Sequence, residues 1–135
     1  MTEGPVKDSR ELAVLAARAA SAKQGSDIAI LDVGDLIAIT DFFVIISGSS
    51  ERQLKSISEE VVRAAKEVGV RPVRQEGEPG ARWLLIDFVD FVVHVFQEEE
   101  REFYRLENLW RDAPVVEWER EADAEPEAEA EASRR

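Results

Sequence analysis

The sequence predicts an α/β fold, a single mixed β-sheet of about five strands flanked by helices. Stretches with apolar residues at helical period alternate with short apolar stretches at strand period. The predicted order is α-β-β-α-β-β-β-α, which indicates one sheet layer with helices packed on it. Residues 42–46 are apolar at every position, so we expect their strand to be buried on both faces and central in the sheet.

The predicted domain spans residues 8–118. Residues 1–7 are short and polar, and we interpret them as a flexible N-terminus. Residues 119–135 are rich in Glu and Ala and have almost no bulky apolar side chain. Because such a segment cannot bury enough surface to offset the entropy of ordering, we predict a disordered acidic tail.

The first predicted helix opens with a capping box. Asp8 is its N-cap, Glu11 completes the box, and Gly25 is the expected C-terminal cap. The apolar positions near helical spacing are Leu12, Leu15, Ala19 and Ala22. A strand should follow over residues 27–33, where two sets of side chains alternate.

The central strand leads into a second helix. Ser50 and Gln53 have the spacing of another capping box, and Gly69 ends the helical pattern. The apolar stripe of this helix comprises Leu54, Ile57, Val61, Ala64 and Val68. Pro72 lies inside the next predicted strand, over residues 70–75, and a proline there indicates an edge position.

The last ordered part is predicted to hold two strands and a helix. The strands cover residues 82–88 and 91–97, and the helix covers residues 98–113. Residues 115–118 should add one docked segment.

Charge and composition limit the classes of function. The chain has no cysteine, which excludes a disulfide framework, a thiolate nucleophile and a cysteine-bound zinc site, and fits a reducing compartment. Seven acids and three arginines lie from Glu119 onward, so residues 1–118 hold 22 acids and 14 bases, a net charge of −8 within the total of −12. Such a surface repels phosphate backbones and attracts basic proteins. No apolar run approaches the ~20 residues of a membrane span, so we expect a soluble protein. With the lack of cysteine and the acidic charge, we expect a cytoplasmic protein with little direct nucleic-acid contact.

The strands at residues 82–88 and 91–97 should form a hairpin around Val89 and Asp90. The pairs on one face are Ile86 with Val93 and Leu84 with Val95, all apolar and expected in the core. The pairs on the other face are Trp83 with Phe96, Leu85 with His94 and Asp87 with Val92. A tryptophan among polar groups is typical of an interface hot spot, whereas the alternative is that the third helix or a dimer partner covers this face. Tyr104, on the polar side of the last helix, would extend the docking surface.

Candidate catalytic arrangements are weak. The only histidine, His94, lies mid-strand without a suitable serine nearby in sequence, so we favour a hydrogen-bonded structural role over a general base. Gly48 and Ser49 after a strand, followed by Asp87 and Asp90, resemble a nucleotidyltransferase site in outline. Those two acids are three residues apart, so within one strand they would point to opposite faces. A nucleotidyltransferase-like nucleotide-binding protein is the alternative function, and no metal or cofactor is expected.

Long motifs give a more specific interpretation. The segments are DFFVIISGSSERQLKSISEEVV (residues 41–62) and EGEPGARWLLIDFVDFVVHVFQEEEREFYRLENLWRDA (residues 76–113). With the spacing between them, they closely resemble the bacterial ribosomal silencing factors, also called Iojap-like proteins. The similarity runs from about Leu12 to Ala113 and leaves out both tails.

This resemblance implies a non-enzyme that binds the large ribosomal subunit through its protein L-fourteen. Binding there blocks joining of the small subunit and lowers translation, notably under nutrient limitation. It also implies a mixed sheet that is distantly similar in outline to the sheet of nucleotidyltransferases. Members of the family often form homodimers. Trp83 and Tyr104 match the tryptophan and tyrosine that the family uses for docking. The residues assigned to partner binding are Trp83, Asp87, His94, Phe96, Arg101 and Tyr104. A third hypothesis is a dimeric adaptor whose hairpin face is its own dimer interface.

Overall fold

The computed structural model describes residues 8–36, 38–77, 80, 82–98, 111 and 113–119. The elements are α1 (Ser9–Ala22), β1 (Ser26–Asp32), β2 (Phe42–Gly48), α2 (Glu51–Glu67), β3 (Arg74–Glu76), β4 (Trp83–Asp87), β5 (Phe91–Gln97) and β6 (Val115–Val116). The predicted N-terminus (residues 1–7), nearly all of the predicted last helix, and the tail beyond Glu119 lie outside the described residues.

The six strands form one sheet in the order β3-β4-β5-β2-β1-β6. β2 and β5 run parallel, and the other neighbouring pairs run antiparallel. The predicted α/β fold with one mixed sheet is therefore confirmed, with six strands instead of about five. β2 is central, as its continuous apolar sequence predicts, and Phe43 is its only half-buried residue.

Both described helices pack on one face of the sheet. Their buried side chains meet Ile30 of β1, Val44 and Ile46 of β2, and Val93 and Val95 of β5 in the main core. The predicted stripe of α2 is buried from Leu54 to Ala64, with Val68 half-buried at the C-cap. The buried residues of α1 are mostly small: Leu12, Ala13, Val14, Ala16, Ala17, Ala19 and Ala20. Small side chains let α1 lie close to both α2 and the sheet.

The capping box of α1 forms as predicted. The Glu11 amide donates to Asp8 Oδ1 at 2.9 Å, and the Asp8 amide donates to Glu11 Oε1 at 3.2 Å. The C-terminal cap differs, because Gln24 and not Gly25 takes the left-handed conformation, with φ of 68°. Gly25 is needed for space instead, since a Cβ there would lie 3.0 Å from both the Ala20 carbonyl oxygen and Ile46 Cγ2.

The capping box predicted for α2 forms only in part. The Gln53 amide donates to Ser50 Oγ at 3.1 Å, as expected. The Gln53 side chain, however, accepts from the Ser49 amide at 2.6 Å, one residue before the N-cap. Its Nε2 donates to the carbonyl oxygens of Lys23 and Gln24, which ties the end of α1 to the start of α2.

The sheet edges agree with the sequence in outline. β3 is an edge strand, but it covers only residues 74–76, so Pro72 precedes the strand and does not interrupt it. At the opposite edge β6 pairs with β1, and the Trp118 indole donates to the Ile28 carbonyl oxygen at 3.3 Å. This is the docked segment expected at residues 115–118. Within the described ranges, every helix is too short or too polar to cross a bilayer.

Candidate functional site

The hairpin register places four rings together on the sheet face opposite α1 and α2. β4 and β5 pair as predicted, with Trp83 opposite Phe96 and Leu85 opposite His94. The parallel pairing of β2 with β5 sets Ile45 beside His94, which brings Phe43 of β2 to the same face. We call this set of Phe43, Trp83, His94 and Phe96 the aromatic cluster.

The rings of the aromatic cluster contact one another closely. Trp83 stacks on Phe96 with centroids 4.9 Å apart, and Phe43 meets His94 edge-on at 5.0 Å. The Trp83 indole also donates to His94 Nδ1 at 3.3 Å. Trp83 is therefore held from below by a stacked ring and from one side by a hydrogen bond.

His94 is buried with one nitrogen unsatisfied. Its Nε2 has no hydrogen-bond partner in the described part of the chain. Burial lowers the pKa of His94 to about 4, because the charged imidazolium loses its hydration there. At neutral pH the ring is uncharged. A hydrogen-bonded structural histidine, the favoured interpretation, fits these observations better than a general base poised near pH 7.

Burial differs among the residues of the hairpin face. Phe96 is fully buried and His94 is 6% exposed, packed near Ile45, Leu31 and Phe43. This part of the face is covered at these two positions, as the alternative interpretation of the hairpin face expects. Both residues therefore support Trp83 from beneath. Trp83 itself is half-buried.

Asp87 has a clear local role in the hairpin turn. Its Oδ1 accepts from the Val89 amide at 2.8 Å, and its Oδ2 lies 3.6 Å from an Arg74 guanidinium nitrogen. The contact to Val89 stabilises a turn in which Val89 has a φ of 77°. Arg101 and Tyr104, the other two residues assigned to partner binding, lie outside the described residues.

The residues of the alternative nucleotidyltransferase-like site do not converge. Gly48 pairs with Gln97 at one end of the sheet, whereas Asp87 pairs with Val92 near the other. Five residue steps from Val92 to Gln97 separate the two sets by roughly 17 Å at ~3.3 Å per residue. Among the described residues, no group of three or more acids or histidines is arranged to hold a metal ion.

Sequence reasoning did not include Phe43 in the site. Its contact with His94 depends on β2 lying parallel to β5, and these strands are far apart in the chain. A signal was present, since Phe43 and Ile45 alternate with the core-facing residues of β2 and so must face the other side. Which strand would meet them there was not deducible from local pattern.

The chain was compared with known families, relatives and solved structures. A family model described as "Ribosomal silencing factor during starvation" matches residues 6–135. The chain belongs to this ribosomal silencing factor family. A ribosomal silencing factor of Halalkalibacterium halodurans is 44% identical over 110 residues, which cover 82% of this chain and 94% of that relative.

Two further relatives agree with the family assignment. A crystal structure of a Chromobacterium violaceum protein superposes with a TM-score of 0.74 at 35% identity, and the match covers 77% of this chain and 87% of that one. The mouse protein named "Mitochondrial assembly of ribosomal large subunit protein 1" is 38% identical over 87 residues, 62% of this chain but only 38% of the mouse protein. Family membership supports a ribosome-associated, translation-silencing role of a regulatory kind.

Proposed function

We propose that this silencing factor binds the large ribosomal subunit through its protein L-fourteen and thereby blocks joining of the small subunit. Membership of the silencing family supports the effect on translation. The name of the mouse relative, which refers to the large ribosomal subunit, supports the choice of subunit. Trp83 and Tyr104 are the central contacts in this proposal, and repression follows under nutrient limitation.

The observation that carries the proposal is the way Trp83 is held. Its ring stacks on the buried Phe96 and is hydrogen-bonded to the buried His94, so its orientation is fixed before a partner arrives. A preorganised aromatic side chain loses little conformational freedom on binding. Half-buried tryptophans of this kind are frequent among the few residues that dominate interface energies.

The charge of the protein favours a protein partner over RNA. Residues 1–118 carry a net charge of −8. An acidic surface is attracted to a basic protein and repelled by the ribosomal RNA that surrounds it. This combination directs the domain to a protein contact on the large subunit.

The proposed mechanism is steric and needs no cofactor. A folded domain bound on the face of the large subunit that meets the small subunit occupies space required for joining. Asp87, His94 and Phe96 act indirectly, by fixing the hairpin turn and the orientation of Trp83. Affinity then depends on a few contacts around Trp83 and not on the total buried area.

Sedimentation with purified ribosomal subunits tests the proposal. We expect the wild-type protein to sediment with separated large subunits and not with small subunits. The double variant Trp83→Ala, Tyr104→Ala should lose this co-sedimentation while its circular dichroism spectrum stays that of a folded protein. Trp118→Ala is the matched control, because it removes the same ring from the opposite edge of the sheet.

A joining assay tests the mechanism separately. Pre-bound wild-type protein should reduce the formation of joined ribosomes when small subunits are added, and the double variant should not. Undiminished co-sedimentation of the folded double variant would contradict the assignment of the site. Binding to large subunits without any effect on joining would contradict the steric mechanism.

A further inference from the structure

Four exposed aliphatic side chains lie at one end of the sheet, the end opposite to Trp83 on β4. They are Leu36, Ile39, Val73 and Val89, which we call the sheet-end patch. β1 and β4 end there, and β2, β3 and β5 begin there. Main-chain hydrogen bonds join the loops, since the Asp41 amide donates to the Asp90 carbonyl oxygen at 2.9 Å and the Val73 amide donates to the Asp87 carbonyl oxygen at 2.8 Å.

In the loop between β1 and β2, a large aliphatic side chain is exposed and the neighbouring polar side chain is buried. Ile39 is 82% exposed, whereas the neighbouring Thr40 is 6% exposed, and its Oγ1 has no hydrogen-bond partner in the described part of the chain. Leaving a buried hydroxyl unsatisfied costs stability, and so does leaving a large aliphatic side chain in water. The loop is nevertheless fixed, by bonds from the Val33 amide to the Asp41 carbonyl oxygen and from the Leu36 amide to the Val33 carbonyl oxygen, each 2.9 Å.

The hairpin turn at the same end of the sheet holds a residue in an unfavourable backbone conformation. Val89 is β-branched and half-exposed, yet its φ of 77° lies in the region that favours glycine or asparagine. A different residue would form this turn with less strain. Two independent departures from what folding favours, at Ile39 and Val89, therefore present aliphatic side chains at the same end of the sheet. Such departures are expected where a surface has a function.

Charge indicates what kind of partner fits. Asp35, Asp41 and Asp90 are exposed among these side chains. Two arginines, Arg71 and Arg74, lie towards the β3 side, and Arg74 is already paired with Glu76 and Asp87. Nucleic acid, a second copy of this end and the acidic segment beyond Glu119 would all meet like charge here. A basic polypeptide would meet opposite charge here.

We propose that the sheet-end patch is a second docking surface, which takes a basic segment of a large-subunit protein bearing aliphatic side chains. This inference rests on the proposed binding to the large subunit and adds a contact beyond Trp83. The Val73–Val89 side of the patch lies at the opposite end of β4 from Trp83, roughly 13 Å along the strand at ~3.3 Å per residue. Both surfaces therefore lie within reach of one ribosomal site of ordinary interface size.

Equilibrium binding of variants to purified large subunits tests the patch. Ile39→Asn and Val89→Asn should each weaken binding about tenfold, as expected for loss of a central aliphatic contact. Ser21→Asn is the matched control, since it introduces the same amide side chain on the exposed far end of α1 and should bind as wild type. Val89→Asn should also raise the melting temperature, because asparagine adopts positive φ with less strain. Weaker binding by a more stable protein cannot result from misfolding.

Cross-linking identifies what occupies the patch. A photoreactive residue in place of Ile39 should attach to a lysine- or arginine-rich protein segment of the large subunit. Attachment to ribosomal RNA or to a second copy would overturn the inference, and so would wild-type affinity of both Ile39→Asn and Val89→Asn. If the wild-type protein itself does not bind large subunits, the proposed function fails first. If it binds and only Trp83→Ala weakens binding, the inference alone fails.

Discussion

The indole nitrogen of Trp83 donates a hydrogen bond to Nδ1 of His94, diagonally across the β4–β5 pair at 3.3 Å. An indole N–H is only a donor, so Nδ1 must be the acceptor and the proton of the neutral imidazole lies on Nε2. Protonation of His94 would place a second donor against the indole and a charge inside the sheet. The orientation of Trp83 is thus coupled to the neutral state of His94.

The pH dependence of stability should change on His94→Phe. The pKa of His94 is lowered to about 4 in the folded protein, below the 6.5 of an unperturbed histidine, so the unfolded chain binds this proton first as pH falls. The stability that the neutral ring contributes is complete above pH 6.5 and is lost towards pH 4, by at most about 3 kcal/mol. Urea unfolding of both proteins across this range measures it. The free energy of unfolding should fall more steeply with decreasing pH in wild type than in the variant, and parallel profiles would contradict the lowered pKa of His94.

Phe96→Ala should destabilise the fold and weaken binding together. Phe96 is fully buried and stacks on Trp83 at 4.9 Å, so truncation creates a cavity beneath the indole. The free energy of unfolding should fall by about 3–5 kcal/mol, and Phe96→Leu should cost less. Denaturant titration gives the stability, and sedimentation with large subunits gives the affinity. If folded Phe96→Ala bound as tightly as wild type, the support of Trp83 by Phe96 would have no part in docking.

Gly48→Ala should destabilise the junction of β2 and α2. A Cβ at this position would lie 2.7 Å from Leu54 Cδ1, inside the core, so the buried Leu54 side chain, the strand or the helix must shift. We expect a loss of about 1–3 kcal/mol in the free energy of unfolding. Gly34→Ala is the control, because its nearest new neighbour is the mobile carboxylate of Asp41 at 3.3 Å. Equal losses for the two variants would show that Gly48 is not limited by space.

Substitutions of Gln53 should separate its two roles. Gln53→Ala removes the acceptor for the Ser49 amide and both donors to the carbonyl oxygens of Lys23 and Gln24. These bonds are partly exposed, so we expect a loss of about 1–2 kcal/mol. Gln53→Glu keeps the acceptor and loses only the donors, so its stability in thermal unfolding should fall between wild type and Gln53→Ala. A glutamate variant as unstable as the alanine variant would assign the whole effect to the link with α1.

Local pattern predicted the parts of the fold that depend on neighbours in sequence. The register of β4 with β5 followed from alternation and a short turn, because a shift by one residue would move Ile86 out of the core. The cap of α1 by Asp8 and Glu11 follows from side-chain chemistry within one helical turn.

Long-range packing accounts for what the sequence did not predict. The parallel pairing of β2 with β5, and with it the contact of Phe43 with His94, joins segments about fifty residues apart that carry no local mark of each other. The burial of Phe96 depends on what covers the second face, which alternation alone does not specify. Local pattern predicts Gly25 as a helix cap. It does not reveal the close approach of Ile46, which lies on another element and limits the space at Gly25.

The two outer strands of the sheet are very short, three residues in β3 and two in β6. Each offers few unpaired main-chain groups to another molecule, and Pro72 just before β3 removes one more donor. Edge-to-edge growth into aggregates is therefore disfavoured, even though the centre of the sheet is strongly apolar. Recognition by extension of the sheet with a foreign strand is disfavoured for the same reason.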